Sequence, residues 1–189
     1  MSNFLAIATV SAAIQRLLEP VVHAAVLGAN VWIDRPDVAR PTPGTNIYLH
    51  CASVSPALRH QELPSRPDGT PASSRIAVDL HYLLTFHGDE DQLEPQRLLG
   101  AVIAALHARP LIAASLLTEV LTAAAEPQLR HSYLAASDLA DTDELVGLEP
   151  DPLILEDLAK LWSLFPSVPY VLSSTYVART VTLDPGDEP

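Results

Sequence analysis

IAVDLHYLLTFHGDEDQLEPQRLLGAVIAAL, from Ile76 to Leu106, reads as a strand, an acidic turn and a helix. Its first part alternates without a fault. Ile76, Val78, Leu80, Tyr82, Leu84 and Phe86 fall on one face; Ala77, Asp79, His81, Leu83, Thr85 and His87 fall on the other. Period-two alternation of this length predicts a strand with one buried face. Gly88 ends it. Asp91-Gln92-Leu93-Glu94 then has the spacing of a capping box, and Pro95 suits a first helical turn. Leu98, Leu99, Val102, Ile103 and Leu106 give the helix its buried stripe, which Arg109-Pro110 stops.

Working outward, Ile7, Val10, Ile14, Leu17, Leu18 and Val21 recur at helical spacing, with Ser2 or Asn3 to cap the start and Pro20 marking an end or a kink. Val31-Trp32-Ile33 reads as a short strand. Thr45 to Val54 alternates again, with Ile47, Leu49 and Cys51 on one face and Tyr48 and His50 on the other. Residues 56–74 form a long loop with Pro56, Pro64, Pro67 and Pro71, either functional or disordered. Ile112 to Ala125 predicts a second helix and Glu144 to Leu148 a strand. Ile154, Leu158, Leu161, Trp162 and Phe165 form another helical stripe, closed by Pro166. Tyr170 to Leu183 is a β-prone run, apolar on both faces, suited to a central strand or to an edge that meets a partner. The expected fold is α/β: a mixed β-sheet flanked by α-helices, one domain over residues 1–183, followed by a short acidic tail at 184–189.

Composition bounds the function. With 189 residues, 48% apolar and 18% charged, the chain can bury a sizeable core. The formal charge is −12, which argues against binding nucleic acid through a broad basic face. From Asp138 onward there are eleven acids against Lys160 and Arg179; solvated acidic loops are the simpler reading, docking of a basic partner the sharper one. Cys51 is the only cysteine, so there is no internal disulfide and no cysteine-based zinc site. The N-terminal MSNFLAIATV has no basic n-region, so no signal peptide is expected, and the longest apolar stretch is too short for a membrane span.

Chemistry has few candidates. His81 and His87 lie six residues apart, roughly 20 Å along a strand, too far to share an ion. Asp79 and His81, with His50 from a neighbouring strand, could supply three metal ligands; polar residues on a solvated or helix-covered face explain them more simply. Asp89, Glu90, Asp91 and Glu94 sit where a helix begins, and acids there suit its dipole better than they suit acid–base work. No HExxH, GxSxG, Walker A or GxGxxG spacing occurs. Cys51 alternates inward and reads as a small core residue. Leu161 and Trp162 are most simply core. Tyr170, Leu172 and Tyr176 face one way on the last strand and, if exposed, would anchor an interface. With Trp162, Arg179, Arg59 and Arg66 they are the candidate interface residues; no catalytic, metal or cofactor residue is assigned.

Four blocks together resemble a known family. They are Asn46-Ile47-Tyr48-Leu49 with Leu58-Arg59 and Asp68-Gly69; the run from Asp79 to Glu90; Leu93 to Gly100; and Leu158 to Trp162 with Pro169 to Ser173. They are similar to the cap, or tail-terminator, proteins of phage-tail-like contractile injection systems. Two positions depart from that pattern: His60 where an Asn usually follows Leu-Arg, and Ile154 where a capping hydroxyl usually opens the last helix. The resemblance implies a non-enzymatic homo-oligomeric ring, a hexamer, with inner-tube and sheath proteins as partners and no cofactor, nucleic acid or direct membrane contact. Such a ring would stop tube growth and anchor the last sheath ring, assembling in the cytoplasm into a particle that is released or membrane-anchored. The rivals are a baseplate or tube-start adaptor of the same machine, a small metal-dependent hydrolase using Asp79, His81 and His50, and a binding module whose acidic half docks a basic protein.

Overall fold

The computed structural model describes residues 2–38, 43–55, 76–126, 131–142 and 145–183. Four helices, α1 (Ala6–Ala25), α2 (Glu94–Ala108), α3 (Ala114–Ala124) and α4 (Leu155–Trp162), accompany six strands. The strands are β1 (Asn30–Ile33), β2 (Gly44–Val54), β3 (Ile76–His87), β4 (Leu111–Ile112), β5 (Val146–Pro150) and β6 (Ser173–Leu183). They form one sheet in the order β1-β2-β3-β6-β5-β4. The β1–β2 pair is parallel and every other pair is antiparallel, so the expected mixed sheet is present.

The inner face of the sheet carries the main core. Leu80, Tyr82, Leu84 and Phe86 of β3 meet Val10, Ile14 and Leu18 of α1 and Leu98 and Val102 of α2. Burying side chains of this size stabilises by about 1.5–3 kcal/mol each. α1 continues through Pro20 to Ala25, because Pro20 costs one backbone bond while buried Leu17, Leu18 and Val22 hold the helix on the core. Its start is fixed by Asn3, whose Oδ1 accepts the Leu5 N–H at 3.0 Å and whose own N–H donates to Asp138 Oδ1 at 2.7 Å.

β3 departs from the one-face expectation. Ala77, Asp79, Leu83 and Thr85 on its second face are also buried. Leu83 packs there with Leu161, Trp162 and Phe165, since α4 lies on that side. β6 is a central strand between β3 and β5.

Three further expectations are corrected. Ile112 belongs to β4, not to a helix, and α3 starts at Ala114. The strand expected from Glu144 runs from Val146 to Pro150. Cys51 is exposed, not core, because the β2–β3 register shifts between Leu49 and Cys51. A bulge adds one residue to β2, so every side chain beyond it changes face. The long loop at 56–74 and the acidic tail lie outside the described residues.

Candidate functional site

The outer face of the sheet gathers most of the residues singled out from the sequence. One half is apolar and aromatic, built by α4. Ile154 stands at the N-cap and makes no side-chain cap bond; Glu156 and Asp157 in the first turn complement the helix dipole instead. Trp162 is buried, donates from Nε1 to Ser173 Oγ at 3.2 Å, and meets Phe165 and Tyr170 edge-on at 6.1 and 5.3 Å between centroids. Phe165 in turn meets Tyr48 at 5.6 Å, and the Arg35 guanidinium lies 5.9 Å from its ring. Tyr170, edge-on to Trp162, is 60% exposed, and Ile154, Leu155 and Leu164, in or next to α4, are exposed as well.

Tyr170, Leu172 and Tyr176 do not face one way. The strand starts at Ser173; Leu172 still keeps the side of Tyr176, and Tyr170, further from the strand, does not. Tyr170 lies with Trp162 on the outer side; Tyr176 is buried in the inner core and Leu172 packs against that core. Arg59 and Arg66 lie outside the described residues.

The other half is polar and contains Arg179. β6 carries an extra residue opposite Asp79, where the register shifts between Val78 and Leu80. Thr180 there has φ +61°. The buried Asp79 carboxylate holds this bulge: Oδ1 accepts the Thr180 N–H and Oδ2 accepts from Arg179 Nη1, each at 3.0 Å. Arg179 Nε also donates to Glu149 at 2.7 Å. These contacts raise the Arg179 pKa, with Glu149 the larger cause. Beside this network His81 Nδ1 is 2.7 Å from Asp151 Oδ2, and His81 Nε2 is 3.0 Å from Ser53 Oγ. His50 does come in from β2, at 6.2 Å ring to ring from His81, and burial pushes its pKa down.

Asp79 is thus engaged by Arg179 and Thr180, and His81 by Asp151 and Ser53. Among the described residues no three His, Cys, Asp or Glu side chains stand where they could hold a metal ion. The acidic turn before α2 is structural, but not as a capping box on Asp91: Leu93 is the N-cap, with φ +54°, and Glu94 Oε2 reaches back to the Asp89 N–H at 2.8 Å. Among the described residues no helix is long and apolar enough to cross a membrane. Ser53 and Asp151 escape sequence reading. Ser53 turns toward His81 only because of the bulge at His50, and Asp151 meets it only through the β5–β6–β3 pairing order.

Residues 9–189 match the family described as the Pvc16 N-terminal domain. Two solved structures share the fold. One is the PVC sheath/tube terminator of an extracellular contractile injection system in its extended state, with TM-score 0.57 and 17% identity, covering 93% of this chain and 56% of that one. The other is the tube-terminating cap of the anti-feeding prophage, with TM-score 0.52 and 18% identity, covering 89% of this chain and 53% of that one. This chain therefore spans about half the length of the structures it matches. A comparison with curated protein sequences finds no match. The family match extends over nearly the whole sequence, and the chain belongs to the Pvc16 N-terminal domain family.

Proposed function

We propose that this chain is a structural cap that ends the inner tube and sheath of a contractile injection system. The observation that carries this reading is the shared fold with a sheath/tube terminator over 93% of the chain, alongside the family match. On this reading the subunits form a homo-oligomeric ring of six. The ring covers the terminal tube ring, leaves no surface for another ring to add, and gives the last sheath ring a fixed end.

The rim of the outer face suits protein contact. Tyr170, Leu155, Ile154 and Leu164 are exposed apolar side chains beside charged Glu156, Asp157 and Lys160. Exposed aromatics with a polar border are what a stable interface uses, over roughly 800 Å² per partner. Trp162 supports Tyr170 from beneath, and Arg179 offers a half-exposed guanidinium on the polar side. Tyr176 and Leu172 then act through the core. Negative-stain imaging of the purified chain and of assembled particles tests the reading. Closed rings that sit on tube ends are expected; particles with normal ends after loss of this gene would refute it.

A further inference from the structure

The polar half of the outer face holds a chain of three groups that the capping role does not use. Ser53 lies near the end of β2, His81 in the middle of β3, and Asp151 directly after β5. Ser53 Oγ is 3.0 Å from His81 Nε2, and His81 Nδ1 is 2.7 Å from Asp151 Oδ2. A carboxylate only accepts, so Nδ1 carries the proton. In the neutral ring Nε2 is then the acceptor, and the Ser53 hydroxyl donates to it. This is the order and spacing in which a weak hydroxyl becomes a nucleophile: the base touches the hydroxyl, and the acid fixes the base's tautomer and orientation. Ser53 is exposed, so a reagent can reach Oγ from solvent.

We propose that Ser53 is a base-activated nucleophile that accepts acyl groups from small activated carboxylic esters, with His81 as general base and Asp151 positioning His81. Oγ bonds to the ester carbonyl carbon while its proton passes to His81 Nε2. The ester C–O bond then breaks, and the departing alcohol takes that proton. The products are the Ser53 ester and the free alcohol. Water repeats the exchange along the same proton path and restores Ser53. The inference rests on this geometry alone and stands or falls independently of the capping role.

The test uses the full chain, with Cys51→Ala as a parallel sample in which the exposed thiol is absent. An alkyl fluorophosphonate is added; Oγ displaces fluoride at phosphorus, and the adduct is mapped by mass spectrometry. The expected result is one adduct on Ser53, formed roughly a hundredfold more slowly in His81→Gln and in Asp151→Asn. The urea-unfolded chain serves as a second comparison that needs no folded variant. No adduct on Ser53, equal rates in the variants, or labelling as fast in urea as in buffer would each overturn the proposal.

Discussion

Asp79 carries two bonds that hold a strained turn of backbone inside a central strand pair. Thr180 at φ +61° is in a region that β-branched residues rarely adopt. The Asp79 carboxylate takes both its N–H and the Arg179 guanidinium while itself being 3% exposed. Asp79→Ala leaves that N–H unpaired and is expected to cost about 2–3 kcal/mol in urea unfolding. A loss below about 0.5 kcal/mol would show that the bulge holds itself. Tyr82 gives a second residue-scale expectation. Its hydroxyl meets Ser11 Oγ at 2.9 Å, and burial drives its pKa well above the ordinary value of 10.0, against the opposing pull of that bond. Below the ordinary value the folded and unfolded chains both keep the proton. Above it the unfolded chain releases the proton and the folded chain does not, so stability falls as pH rises. Tyr82→Phe should cost about 1 kcal/mol at neutral pH and lose less stability than the parent between about pH 9 and 11. Parallel alkaline losses in the two chains would contradict this. At this scale the sequence marks Asp79 as polar and Tyr82 as buried. Nothing in it marks an extra residue in β2 or β6, so the exposure of Cys51 and the partners of Asp79 and His81 were not legible.

Elements were read more faithfully where one period runs long. The strand β3 and the helices α1, α2 and α4 are all present, but two stripe positions are not buried: Ile103 of α2 is 43% exposed, and Ile154, at the N-cap of α4, is 64% exposed. Failures came at ends, where local geometry competes with pattern. The start of α2 is one. Leu93 takes φ +54° and is 57% exposed, so its side chain contributes little packing while its Cβ is strained. Leu93→Gly is expected to stabilise by about 0.5–1 kcal/mol, read as a raised melting temperature. A lowered one would mean that Leu93 packs in a way its exposure hides. Gly44 shows the opposite constraint. A Cβ built there would lie 2.1 Å from Asn30 O and 2.8 Å from the Trp32 ring, because β1 and β2 begin in close register. Gly44→Ala must push these strands apart and should cost more than about 2 kcal/mol. A neutral result would place the β1 edge outside the cooperative core. The second buried face of β3 was legible only in part: Leu161, Trp162 and Phe165 read as a stripe, yet nothing in their spacing says which sheet face they cover.

At the scale of the whole molecule, the class of fold follows from strands and helices that alternate along the chain, and the mixed sheet agrees. The capping role does not follow from folding physics. A ring is made by surfaces, and surface residues are chosen by a partner whose shape a single chain does not contain. Tyr170, Ile154, Leu155 and Leu164 are each exposed in or near α4, and they are the side chains such a partner would cover on this reading. The central claim is that this chain ends the tube, and the most direct measurement is electron microscopy of particles made with and without its gene. The account predicts particles of uniform length with a closed end in the first case, and uncapped tubes of uncontrolled length in the second. Tubes of normal length with intact ends in the absence of the gene would contradict it.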